Sequence, residues 1–107
     1  MSTLKISAHG FDLTDSIREQ AEEKFNKVLS HDKDIDNLDI TLEEGSKHGL
    51  KTFVVKANLN FHRHHVHVQH ETSDLYHCIK EVEQKLLREI RREHRKFRHD
   101  RKHSSTD

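Results

Sequence analysis

Cationic side chains are concentrated at the C-terminal end of the chain. Residues 84–103 carry nine basic and three acidic side chains, whereas residues 1–44 carry five basic and eleven acidic ones. The charges of the whole chain cancel, but phosphates feel the local field within about 8–10 Å at physiological salt. A basic end of this kind favours binding of nucleic-acid phosphates, with an acidic membrane surface or an acidic protein as alternatives.

The same end has the spacing of an amphipathic helix. Its apolar stripe consists of Leu75, Ile79, Val82, Leu86, Ile90 and Phe97. On the opposite arc lie Lys85, Arg88, Arg91, Arg92, Arg95, Lys96, Arg98, His99 and Lys102. A solvated face with pairs such as Glu89 with Arg92 is the alternative, but three acids leave most of the cations to repel one another. Six of the nine basic residues between 84 and 103 are Arg, which favours RNA because guanidinium groups bind phosphate in a fork and stack on bases.

Histidine is also abundant, with twelve in the chain and five between residues 62 and 70. If Val66 and Val68 face a core, strand alternation puts His65 and His67 on the open face, and His64 and His70 on the core side. Two histidines on one strand face can contribute to a zinc or nickel site. A structural zinc site needs four ligands, however, and no recognised spacing supplies them here. We expect no cofactor and, at most, adventitious nickel affinity.

Motifs that support catalysis are missing from the sequence. It has no glycine-rich phosphate loop, no nucleophile motif around Cys78 and no HExxH, so we expect that the protein is not an enzyme. The lone Cys78 gives no sign of an oxidising compartment. The opening MSTLKISAHG has no apolar signal core, and no stretch approaches the roughly 20 apolar residues of a membrane span. These observations predict a soluble cytoplasmic protein without a membrane partner.

Alternating apolar residues predict four strands, with a helix after the first. The strands carry Leu4, Ile6 and Ala8; then Leu38, Ile40 and Leu42; then Phe53, Val55, Ala57, Leu59 and Phe61; and finally Val66 and Val68. The first helix is predicted from about residue 15 to 30, with Thr14, Asp15 or Ser16 as its cap and Ser16 and Glu19 at capping-box spacing. Residues 43–49 predict a hairpin connection longer than the tightest type. A further turn is expected near residues 62–64.

These elements predict an α+β fold of order β-α-β-β-β-α, a four-stranded sheet with two helices on one face. The crossover helix makes the first two strands parallel neighbours, and the others form an antiparallel meander. We expect one domain over residues 1–103 and a disordered tail over 104–107. The predicted core is Leu4, Ile6, Phe25, Leu38, Ile40, Leu42, Val55, Leu59, Val66, Val68, Ile79, Leu86 and Ile90.

Three stretches, taken in order, resemble a known family over nearly the whole chain. They are LKISAHGFDLTDSIREQAEEKFNKV, VHVQHETSDLYHCIKEVEQKL and the basic LLREIRREHRKFRHDRKH. The pattern is similar to that of the short hibernation promoting factors and ribosome-associated inhibitors, also known as sigma-54 modulation proteins. The chain departs from the family in having His70-Glu71-Thr72-Ser73 before the Asp-x-Tyr motif and Lys80 after its Ile.

The resemblance implies a fold similar to a double-stranded-RNA-binding domain. It also implies that the protein binds the small ribosomal subunit in the path of messenger and transfer RNA, and inhibits translation under stress or in stationary phase. The ribosomal RNA contacts implied by the resemblance are Lys24, Lys27, Lys85, Arg88, Arg91, Arg92, Arg95 and Lys96. Two other hypotheses are a protein that modulates a sigma factor and a His-rich metal-binding protein. We expect the free chain to be a monomer.

Overall fold

The computed structural model describes residues 3–61 and 64–105; for residues 95–105 it describes the helical backbone alone. The elements in chain order are β1 (Thr3–His9), α1 (Asp15–Leu29), β2 (Ile35–Lys47), β3 (Leu50–Phe61), β4 (His64–Thr72) and α2 (Leu75–Ser105). The predicted α+β fold and its element order are confirmed. The turn expected before β4 falls largely on residues 62 and 63, outside the described residues. The disordered tail at 104–107 stays a prediction.

The four strands form one sheet in the order β1-β2-β3-β4. β1 is parallel to β2, with Leu4 beside Leu38 and Ile6 beside Ile40. β2 with β3 and β3 with β4 pair in antiparallel fashion. The parallel neighbours and the meander are therefore both as predicted, since a helix between two adjacent strands requires the first arrangement and short connections allow the second.

Helix α1 begins after Thr14, whose hydroxyl accepts a hydrogen bond from the Ile17 amide at 3.2 Å. Of the three predicted caps, Thr14 is the one used. Ser16 does not cap the helix, because it already lies inside its first turn, and its hydroxyl lies 3.4 Å from the Tyr76 hydroxyl of α2. Buried Ala21, Phe25 and Val28 fix the face that packs on the sheet.

The β2–β3 connection is much shorter than predicted. β2 continues to Lys47 and β3 starts at Leu50, so that His48 and Gly49 alone form the turn. Their φ angles of 55° and 78° are those of a type I′ turn, whose twist matches that of the flanking strands. The prediction of a longer loop was wrong because this part of the hairpin is polar on both faces and lacks apolar alternation.

The core lies between the sheet and the two helices. Nine of the predicted core residues are buried: Phe25, Leu38, Ile40, Leu42, Val55, Leu59, Ile79, Leu86 and Ile90. The other four are half-buried and pack against that cluster: Leu4, Ile6, Val66 and Val68. All four lie on the edge strands β1 and β4, where a side chain has a neighbouring strand on one side only.

Helix α2 runs parallel to α1 on the same face of the sheet. Asp74 caps it, its Oδ1 accepting from the amides of Tyr76 at 3.1 Å and His77 at 3.4 Å. Near its start α2 contacts α1 through Tyr76 and Ser16, and further along His94 Nε2 lies 2.6 Å from Asp32 Oδ2, just beyond the end of α1. The opposite face of the sheet carries neither helix.

Candidate nucleic-acid interface

The exposed side of α2 carries three arginines in its described part, Arg88, Arg91 and Arg92, which we call the basic ridge. Arg91 Nε donates to the Leu87 carbonyl at 3.4 Å, and Arg92 lies 3.8 Å from Glu89. An exposed pair of this kind contributes about 0–1 kcal/mol, so it does little to hold the guanidinium group away from another anion. Arg95 and Lys96 follow in the same helix, but their side chains lie outside the described residues.

Lys85 lies on the flank of α2 that faces β4 and is half-buried. Its Nζ donates to the Gln69 carbonyl at 2.8 Å and lies 3.3 Å from His70 Nδ1. These contacts anchor α2 to the edge of the sheet. The structure thus gives Lys85 a positioning role that helical periodicity did not reveal, because the partner is a backbone oxygen on another element.

Lys24 and Lys27 belong to the ridge of α1 that faces α2. Ser16, Gln20, Lys24 and Lys27 follow one another at spacings of four, four and three, which places them on one side of the helix. Ser16 contacts Tyr76 of α2, so the rest of that ridge runs beside α2. Lys27 is exposed and Lys24 half-buried. The two lysines therefore lie on the helix side of the molecule, as does the basic ridge.

Acidic residues of α2 turn towards other elements or along the helix. Glu93 Oε1 lies 3.1 Å from His64 Nε2 on β4, and Glu81 lies 3.7 Å from His77. Glu83 is buried, with 5% of its surface exposed. This arrangement separates much of the negative charge of α2 from its exposed arginines, which gives the exposed side of α2 a local positive field.

The histidines of β4 divide between the two faces as predicted. His64 and His70 lie on the helix side, where they approach Glu93 and Lys85. His65 and His67 lie on the open face. Within the described parts of the chain, no group of three or more His, Cys, Asp or Glu side chains is placed to hold a metal ion.

On the open face, the two histidines lie against asparagines of β3. His65 Nδ1 lies 2.7 Å from Asn60 Oδ1, and His67 Nδ1 lies 2.9 Å from Asn58 Oδ1. Asn60 Nδ2 in turn donates to Asn37 Oδ1 on β2 at 2.9 Å. Sequence reasoning missed this asparagine–histidine ladder. Its signal was the alternation of Asn58 and Asn60, which an antiparallel register sets opposite the two histidines.

Cys78 is fully buried, although it is not among the residues of the predicted apolar stripe. Its Sγ donates to the His70 carbonyl at 2.9 Å. Burial is the main cause that raises the pKa of the Cys78 thiol above its ordinary value, and a protonated thiol is a poor nucleophile. In this environment Cys78 packs in the core as a small buried side chain.

Comparison with known families assigns the chain to a class. Residues 4–98 match the model of the family described as sigma 54 modulation protein / S30EA ribosomal protein. The chain belongs to this family, which is ribosome-associated, and the resemblance found in the sequence is confirmed. No curated protein matches the chain.

Two solved structures are similar to this chain in fold. A ribosomal subunit interface protein from Coxiella burnetii is 21% identical, with a TM-score of 0.72, over 84% of this chain and 94% of that one. The N-terminal domain of Protein Y from Thermus thermophilus is 20% identical, with a TM-score of 0.61, over 82% of this chain and 98% of that one. At such identities the likeness shows a shared fold. No helix in the described residues is long and apolar enough to cross a membrane.

Proposed function

We propose that this protein is a ribosome hibernation factor that binds the small ribosomal subunit and blocks translation by occupying the path of messenger and transfer RNA. It acts in the cytoplasm, under stress or in stationary phase, and makes or breaks no bond. The observation that carries the proposal is the basic ridge, exposed and weakly paired, in a member of a ribosome-associated family.

Ribosomal RNA is the partner whose chemistry fits the helix side of the molecule. Guanidinium groups bind phosphate oxygens through two parallel hydrogen bonds, and three of them follow one another along one side of α2. Lys24 and Lys27 on α1, together with Arg95 and Lys96 further along the sequence of α2, are further proposed contacts to the RNA. Lys85 contributes through its anchoring contacts with β4, which hold the helix in place while the ridge is bound.

The shape of the molecule suits a steric block. Its principal extents are 57 × 32 × 17 Å, a flat body with one charged helical side. A body of this size bound by its helix side to RNA would exclude other occupants from the same channel. The metal-binding alternative gains no support from the described residues, and the structural likenesses do not favour a sigma-factor partner.

Cosedimentation with purified small subunits tests the proposal. The variant Arg88→Glu/Arg91→Glu/Arg92→Glu should remain folded, because all three side chains are exposed, and should no longer sediment with the subunits. The matched control is Arg18→Glu/Lys47→Glu/Lys51→Glu, which changes the net charge equally at exposed positions outside α2 and should still bind.

Two outcomes would contradict the proposal. If the wild-type chain fails to cosediment with small subunits at low salt, the partner is not the small subunit. If the folded α2 variant binds as well as the control variant, the basic ridge is not the docking surface. Binding of the wild-type chain to a sigma factor but not to subunits would favour the alternative hypothesis.

A further inference from the structure

The two edges of the sheet differ in how they are covered. At the β4 edge, α2 supplies the Lys85 ammonium group to the Gln69 carbonyl. β1 is the other edge, with β2 as its strand neighbour on one side only. An uncovered edge strand presents backbone donors and acceptors that another strand can pair with. The β1 edge is therefore the edge at which a further strand can pair with this sheet.

Beside β1 lies an open cavity whose lining is mostly polar. The cavity has a volume of about 230 Å³ and is lined by Leu4, Ile6, Arg18, Glu22 and Asn26. Leu4 and Ile6 form its floor on β1 and are half-buried. The three polar residues come from the adjacent flank of α1. A second element lying along β1 would cover Leu4 and Ile6 and complete the burial that these two side chains lack.

The charged residues beside the cavity could pair with the same residues of a second copy. Arg18 and Glu22 lie one turn apart on α1 and approach each other only weakly, at 3.9 Å, with about half of each side chain exposed. If a second α1 approached this flank in antiparallel orientation, Arg18 of each copy would face Glu22 of the other. On β1, antiparallel pairing centred on Ile6 would set Lys5 opposite Ser7 of the second copy rather than opposite another lysine.

We propose that the β1 edge is a self-association surface that takes a second copy of this chain. Two β1 strands pair in antiparallel fashion about a two-fold axis near Ile6, and the two sheets become one continuous sheet. The α1 flanks close over Leu4 and Ile6 from both sides, with two reciprocal Arg18–Glu22 pairs. The zero formal net charge of the chain adds no long-range repulsion between copies.

A dimer of this kind leaves the basic ridge accessible in both copies. Arg88, Arg91 and Arg92 lie on α2, which packs against β3 and β4, whereas the proposed surface consists of β1 and the adjoining flank of α1. The dimer is thus independent of the proposed function, and it departs from the monomer expected from the sequence. Because the interface is a strand edge with two ion pairs, association should depend on protein concentration and weaken with salt.

Sedimentation velocity on the full-length chain over a range of concentrations tests this surface. Wild-type protein should shift from monomer towards dimer as concentration rises. Arg18→Glu gives each copy an acidic flank and Glu22→Arg gives each copy a basic one, so each variant alone should stay monomeric. An equimolar mixture of the two variants should dimerise, because every cross-copy pair is then complementary. Lys47→Glu, a change at an exposed position on β2, is the control and should dimerise like wild type.

Three outcomes of these sedimentation experiments would overturn the proposed self-association. A wild-type chain that stays monomeric at the highest concentration reached overturns the proposal. So does a mixture that stays monomeric while circular dichroism shows both variants folded, or a single variant that dimerises as strongly as wild type. If Arg18 and Glu22 had purely structural roles, association could not be absent from each variant alone and present in their mixture.

Discussion

The helix side and the open face of the sheet are both polar, but they use their polar groups differently. On the open face, Asn60 bonds to Asn37, and Asn58 and Asn60 lie against His67 and His65. On the helix side, the arginines of the basic ridge face solvent with one long pair to Glu89. The open face pairs its asparagines and histidines with one another, whereas the arginines of the basic ridge have only long local contacts. Density of polar residues is therefore a poorer guide to a binding surface than the partners they already have.

The difference has an energetic basis. Like charges one turn apart on a helix cost a few tenths of a kcal/mol per pair, so the clustered cations of α2 make the isolated fold less stable. Hydrogen bonds between amide and imidazole groups each add about 1 kcal/mol. The cationic side of α2 lowers the stability of the fold, whereas the open face of the sheet raises it. A local cost of this kind is typical of functional sites.

The largest effect is expected from removing charge at the basic ridge. Changing Arg88, Arg91 and Arg92 to Gln should reduce the slope of log K for small-subunit binding against log salt by up to about 3, because each phosphate that an arginine no longer neutralises keeps nearly one counterion bound. Equilibrium binding at several salt concentrations measures this slope. An unchanged slope would show that these arginines do not bind phosphate. The free energy of unfolding should change little.

The next effect concerns packing on the open face. A Cβ at Gly45 would lie 2.9 Å from Thr52 Oγ1 and 3.1 Å from Glu71 Oε2, where the Thr52 hydroxyl donates to that carboxylate. Gly45→Ala should therefore lower the free energy of unfolding by about 1–3 kcal/mol, the usual range for overpacking. Urea denaturation gives the value.

A second substitution separates overpacking from a general loss of sheet propensity. In the Thr52→Ala background the oxygen nearest the new methyl group is gone, so Gly45→Ala should cost clearly less there. Equal costs in the two backgrounds would mean that the approach to Thr52 is not the cause. Small-subunit binding should be the same for all these variants, since the hairpin lies away from the basic ridge.

A smaller effect is expected at the ladder itself. Asn58 Oδ1 lies 2.9 Å from His67 Nδ1 and 3.3 Å from His65 Nε2, so Asn58→Ala should reduce the free energy of unfolding by about 1 kcal/mol. Thermal or urea unfolding measures the reduction. Ribosome binding should be unchanged; a variant that is fully stable but binds poorly would show that the open face, too, is a docking surface.

The sequence was sufficient for the architecture because burial on one face leaves a period in the chain. The stripe from Leu75 to Ile90 and the alternation in β3 each identify an element, and the crossover helix makes β1 parallel to β2. The hydrophobic periodicity is weak where neither face of a strand is apolar. For that reason the sequence predicts a loop at the tip of the β2–β3 hairpin, where the structure has paired strands. The clue that the sequence does offer is Gly49, because glycine readily adopts the positive φ that a tight turn requires; in the structure both His48 and Gly49 have positive φ.

The candidate site could be predicted in part. Helical spacing placed Arg88, Arg91 and Arg92 opposite the core, and the structure leaves them exposed. It could not show that Lys85 donates to the Gln69 carbonyl, or that Asn58 would meet His67, because such contacts depend on the register between elements distant in sequence. Local periods reveal which way a side chain faces; its partner follows only from the assembled sheet.

The smallest expected effect belongs to the buried Cys78. Burial raises the pKa of the Cys78 thiol in the folded chain, so between the unfolded and folded pKa values the folded state holds a proton that the unfolded state has released. The thiol's contribution to stability is therefore fully present below about pH 8.5, the ordinary pKa, and disappears as the pH rises through the raised value. Urea denaturation of wild type and Cys78→Ala at neutral and alkaline pH measures the contribution. Cys78→Ala should be less stable at neutral pH because it leaves a small cavity, and the difference should shrink in alkaline solution. A difference that stays constant with pH would show that the thiol does not ionise differently in the two states.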